Sequence, residues 1–189
     1  MGNKLSILLL LFLGLLTACG TELQLYEWER MELQFINTQT QDTLPSESSI
    51  NVDAFSMLVS LNPDNTLTVR SSDWINSSDG FQANDRIESI EITSDVDYNN
   101  SLPQGVLLND VFEAATINNP ELKKPLNQFI ETFGQQSNQI EEGFFLTLLK
   151  PNSETAPRDS VRTFTVRLTL EKNGTFFRTS DRIQIFSTN

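Results

Sequence analysis

The chain contains no histidine and a single cysteine, at position 19. Without His it lacks the commonest general base near neutral pH and the commonest metal ligand. Ser–His–Asp and Cys–His triads cannot be built, and neither can a zinc site made from His and Cys. One Cys cannot form an internal disulfide, so the fold must rest on its core. Positive charge is also scarce: 13 Lys and Arg stand against 25 Asp and Glu, for a net charge of −12. That balance excludes nucleic acid as an expected partner, because nucleic acid wants a basic footprint. It also argues against docking on anionic headgroups by charge.

What is present begins with MGNKLSILLLLFLGLLTACG. Lys4 is the only charge there, and Leu5 to Leu16 is apolar apart from Ser6 and Gly14. Thr17 and Ala18 are small. A positive start, an apolar run and small residues make residues 1–18 a secretory signal peptide. The run is shorter than the ~20 residues that span a bilayer, and no later segment comes close.

Leu16-Thr17-Ala18-Cys19 resembles the lipobox of bacterial lipoproteins, with Leu at −3, Ala at −1 and Cys at +1. The resemblance implies cleavage before Cys19 and a diacylglyceryl lipid on its sulfur, with no further cofactor. The implied partner is the membrane, reached through that lipid anchor. Each buried CH₂ contributes about 0.8 kcal/mol, so two or three acyl chains hold essentially permanently. With Gly20 after the Cys, in place of an Asp, the resemblance is compatible with the outer membrane; the periplasmic and external faces stay equally open. Residues 19–25 are then a tether. Gly20 to Leu25, fully extended, reach about 20 Å, which keeps a domain at 26–189 close to the membrane.

Beyond the tether, period-2 alternation dominates. Met31, Leu33 and Phe35 share one face, opposite Glu32 and Gln34. A polar loop is expected over 38–49. Phe55, Met57, Val59 and Leu61 alternate again, and NPDNT at 62–66 reads as a turn. Residues 71–86 read as loop, and Ile90 and Ile92 mark a strand. The middle, about 107–134, reads as a short helical insertion. Asn109 is a candidate N-cap there, and Leu126, Phe129, Ile130 and Phe133 form one helical face after Pro125 and before Gly134. Strand returns at Gly143–Leu149.

Residues 161–186 predict a hairpin about Asn173-Gly174, a favoured pair for a two-residue turn. That turn pairs Leu170 with Phe177 and Phe164 with Ile183. It also sets Asp181 against Val166, so a bulge or break is expected near Ser180-Asp181. About seven strands with a helical insertion predict a mainly β fold: an immunoglobulin-like or other Greek-key β-sandwich.

Four stretches bear on chemistry. Asp95, Asp97 and Asn99 have the alternate spacing that opens a calcium loop, but Asn100 and Val106 stand where that loop needs Gly and Glu. A polar turn after a strand is the favoured reading of them. Trp74 and Phe81, among Asp and Asn, are candidates to stack on a sugar, or to fold back and plug the core. Asp42-Thr43-Leu44 and Asp159-Ser160-Val161 resemble the short O-glycosylation site of exported Bacteroidota proteins, with Thr43 and Ser160 as acceptors. Glu141 and Glu142 are adjacent, which says nothing of the separation across a cleft that a glycosidase needs.

The whole chain also resembles, loosely, small envelope lipoproteins of Bacteroidota, a likeness that brings no activity with it. The expectation is a lipid-anchored envelope module without catalysis, binding an envelope protein or a glycan. An accessory subunit of an envelope assembly is the alternative, with a hydrolase third. Cys19→Ala should leave the chain at precursor size and without lipid. A variant that still runs at mature size and partitions with membranes would contradict the anchor.

Overall fold

The structure is a computed structural model and describes residues 22–70, 81–83, 85–134, 143–149, 156–172 and 174–187. Residues 1–18, Cys19, Trp74, Glu141, Glu142 and Asn173 lie outside the described residues. The fold is mainly β, as expected, and consistent with a β-sandwich. In chain order its strands are β1 (Glu22–Asn37), β2 (Ser48–Asn51), β3 (Phe55–Arg70), β4 (Phe81–Ala83), β5 (Ile87–Ser94) and β6 (Phe112–Thr116), followed by β7 (Lys124–Pro125), β8 (Gly143–Leu148), β9 (Ser160–Arg162), β10 (Phe164–Leu170), β11 (Gly174–Thr179) and β12 (Ile183–Phe186). Among the described residues one short α-helix, α1 (Leu126–Phe129), continues as a π-turn over Ile130–Gly134. The strands beyond the expected seven are short and lie mostly in segments expected as loop or helix.

One sheet has six strands in the order β4-β1-β3-β8-β6-β7; the others are β11-β10-β5 and β2-β12-β9. The alternating residues do what their period requires. Met31 and Phe35 of β1, and Phe55, Met57, Val59 and Leu61 of β3, are buried. So are Phe164, Val166, Leu168 and Leu170 of β10 and Ile87, Ile90 and Ile92 of β5. The two faces meet through rings: Phe164 lies 5.8 Å from Phe55, 6.5 Å from Phe35 and 5.8 Å from Phe112. Fully burying one such side chain contributes about 1.5–3 kcal/mol.

Several local expectations are corrected. NPDNT does not turn. β3 runs through it to Arg70, and its pairing with β1 shifts register at Glu27/Trp28 and Trp28/Arg30, where Trp28 faces Pro63. A bulge absorbs the extra residue at a Pro that has no N–H to give the ladder. Because β3 continues, β1 finds a partner earlier: Glu22 already pairs Arg70, so β1 begins at Glu22, within the stretch expected as a tether. The end of the polar loop at 38–49 becomes β2, which lies parallel to β12.

The helix expected at 107–115 is a 3-10 turn, Asn109–Val111, followed by β6. Asn109 does not cap it. Its side chain accepts from Ile92 N (3.1 Å) and donates to Ile90 O (2.7 Å), taking the place of a neighbouring strand on the β5 edge. Phe112, Ala114 and Ala115 are buried, and β6 satisfies its backbone against β8 and β7.

The helix expected near 125–133 is present, with Leu126, Phe129 and Phe133 buried; Pro125 precedes it as the cap residue. Gly134 is not in the left-handed region that a helix-ending Gly would take. A Cβ there would meet Ile87 O at 2.7 Å, so the small residue permits close approach to β5. Gly143 combines both demands: φ is +130° and a Cβ would lie 1.9 Å from Val59 O.

The hairpin forms in another register. Leu170 pairs Gly174, Leu168 pairs Phe176 and Arg167 pairs Phe177. An odd shift turns each β11 side chain to the opposite face. Phe176 then packs against the core and Phe177 points out, 64% exposed. The expected break is there: β11 ends at Thr179, and Ser180 accepts from Phe164 N (2.9 Å) through its hydroxyl. The chain changes sheet at that point. Ile183 therefore pairs Arg162 and Ser48, not Phe164, and Ile183 and Ile185 enter the core.

Candidate functional site

Two places in the sandwich carry unusual side chains. The first lies where the 94–106 loop meets β9. Arg162, at the end of β9, has no exposed surface. Its Nη2 donates to Arg158 O and to Ser160 Oγ (2.8 Å), while Nε and Nη1 have no partner among the described residues. The guanidinium lies 5.3 Å from the ring centroid of buried Tyr98. Burial pulls Arg162 below its ordinary value, opposed by Tyr98, Asp95 and Asp159. Burial pushes the Tyr98 hydroxyl up to about 12, opposed by Arg162.

The calcium candidates Asp95, Asp97 and Asn99 come together in this loop, but each has another partner. Asp95 Oδ1 accepts from Thr163 N (2.7 Å), which ties the loop to the β9–β10 junction. Asp97 accepts from Gln104 N (2.9 Å) and pairs with Arg158 (3.0 Å). Asn99 Oδ1 accepts from Ser101 N and Leu102 N, both 2.9 Å. Arg158 supplies the positive charge that a cation would, and reaches Asn100 as well (2.6 Å). Among the described residues no group of three acidic or thiol side chains is placed to hold a metal ion. The geometry is that of a braced turn.

The two glycosylation candidates separate. Thr43 is exposed, beside the bridge it forms with Ile36. Ser160 is half-buried, and its hydroxyl holds the Arg162 guanidinium. Phe81 opens β4, whose backbone runs parallel to β1 with Phe81 paired to Gln24; Trp74 lies outside the described residues.

The second place is the outer face of β5-β10-β11. The inward residues of β10 are buried, so the alternate positions must face out. Pairing lines them up in three rows across the strands: Ser89–Thr169–Thr175, Glu91–Arg167–Phe177 and Thr93–Thr165–Thr179. The middle row is a charge and aromatic ladder. Arg167 Nη1 lies 3.4 Å from Glu91 Oε2, and its guanidinium lies 5.2 Å from the Phe177 ring centroid. In the flanking rows Thr165 and Thr179 share a hydrogen bond at 2.9 Å. The face therefore offers an open ring, a paired carboxylate and guanidinium, and flanking hydroxyls. Sequence reasoning missed it because the hairpin register decides whether Phe177 is inside or outside. The signal available was the Thr–Arg–Thr set between the apolar residues of β10.

The chain matches no protein-family model, no curated protein and no solved structure.

Burial of Tyr98 has a consequence at alkaline pH. The folded hydroxyl titrates near 12 and the unfolded one near 10. Below pH 10 both states keep the proton and nothing is lost. Above it the unfolded chain ionises first, so stability falls by up to about 1.4 kcal/mol per pH unit until the folded group titrates. Wild type should therefore lose about 2 kcal/mol more than Tyr98→Phe between pH 10 and 12. Urea unfolding of both chains across that range measures the difference; parallel curves would contradict it.

Proposed function

We propose that this chain is a lipid-anchored protein of the bacterial cell envelope whose sandwich is a binding module without catalysis. The anchor rests on the Leu16-Thr17-Ala18-Cys19 lipobox resemblance, with a diacylglyceryl group on Cys19 and the outer membrane as its site. The absence of His supports a non-catalytic reading, since the usual nucleophile-activating and acid–base partner is missing.

One observation carries the binding role. Phe177 is 64% exposed at the end of an ordered ladder, Glu91–Arg167–Phe177, on an open sheet face. Burying such a ring is worth free energy that the protein leaves unused in isolation, and an aromatic beside Arg is the composition favoured where partners bind. The other exposed large apolar residues, Leu107, Leu122 and Val161, are aliphatic and offer no ring, although Val161 also ends a row, with Gln184 and Ser49.

Full-length lipidated protein in vesicles tests the reading. Such vesicles should co-sediment with isolated envelopes of the producing cells, and vesicles carrying Phe177→Asp should not. Equal binding by the variant, or by protein-free vesicles, would overturn it.

A further inference from the structure

We infer that the outer face of β5-β10-β11 binds an uncharged oligosaccharide, with Phe177 as the stacking platform and the Glu91–Arg167 pair as the hydroxyl clamp. The inference rests on the binding-module reading and names its ligand. Size argues first. Three strands lie about 4.8 Å apart and alternate residues about 6.7 Å along each strand, so the three rows span about 10 Å by 13 Å. That is far below the about 800 Å² per partner of a standard protein interface, and suits a short chain of small rings.

Charge argues second. Glu91 and Arg167 neutralise each other across adjacent strands, so the middle row has no net charge. An anionic ligand would meet a chain of net −12, and a cationic one would find Glu91 already paired.

Chemistry argues third. One side of the Phe177 ring carries the Arg167 guanidinium, and its exposure leaves room for a ligand on the ring. A sugar ring has an apolar C–H face for that stacking. Its rim hydroxyls can donate to the Glu91 carboxylate and accept from Arg167. The hydroxyls of Ser89, Thr93, Thr169 and Thr175 engage no protein group among the described residues, and each can donate one hydrogen bond and accept others. A purely apolar ligand would desolvate the ion pair and the hydroxyl rows without return. The row pattern thus matches a ligand that is apolar on one face and hydroxylated at its rim.

The test uses full-length protein in nanodiscs, titrated calorimetrically with cellohexaose, xylohexaose, mannohexaose and, as the charged counterpart, hexagalacturonate. At least one neutral oligomer should bind. Phe177→Ala and Arg167→Ala should each weaken it about tenfold, equivalent to about 1.4 kcal/mol, at unchanged Tm. Hexagalacturonate should not bind. The inference is overturned if no neutral oligomer binds, if hexagalacturonate binds as well, or if Phe177→Ala binds undiminished. Failure here with Phe177→Asp still blocking envelope binding removes only the sugar assignment. Undiminished envelope binding by Phe177→Asp removes the binding-module reading itself.

Discussion

The ring of Phe164 is the contact on which the sandwich depends. It belongs to β10, the central strand of one sheet, and it reaches three rings of the other, Phe35, Phe55 and Phe112. Its backbone is held at the same point, by Ser180 from both its N–H and its hydroxyl. That doubled hold lets the chain end β11 and pass to another sheet with the N–H and C=O of buried Phe164 both paired. Two residues before Phe164, Arg162 is buried at the seam, and Asp95 on the neighbouring loop takes the Thr163 N–H. Core, seam and loop are therefore fixed by a few consecutive residues.

The outer face follows from the same strand. In β10 the period is two, so placing Phe164, Val166, Leu168 and Leu170 inside puts Thr165, Arg167 and Thr169 outside. Pairing to β5 and β11 then spaces the Ser and Thr hydroxyls around Arg167. The exposed ladder is thus held by a rigid scaffold, because β10 is paired on both sides and packed beneath. Arg167 bridges Glu91 and Phe177, so its guanidinium is oriented before any ligand arrives, which lowers the entropy cost of binding.

Much of the fold was legible wherever alternation was regular: β3, β5, β8 and β10 lie where Phe55–Leu61, Ile90 and Ile92, Gly143–Leu148 and Phe164–Leu170 suggested. The apolar face of the short helix was legible too. The errors share a cause, since each involved residues whose local preference was overridden by a partner distant in sequence. Pro63 and its neighbours favour a turn, yet pairing with β1 carries the strand through them. Asn109 has the side chain of a helix cap and is used on the edge of β5. Asn173-Gly174 suggests a two-residue turn, but Ile183 and Ile185 are needed in the core and Phe176 beside it, which sets a different register. The open face was illegible for that reason: Phe177 is outside only in the register that tertiary packing selects.

The proposed anchor at Cys19 and the proposed ligand face on β5-β10-β11 make one account, in which lipid would hold the module and the sheet face would meet its partner. A benzophenone amino acid placed at Phe177 in living cells tests it directly, with the same probe at Leu122, 55% exposed, as the comparison. The account predicts a cross-linked species from position 177 and none from 122. No adduct at 177, or equal adducts at both, would contradict it.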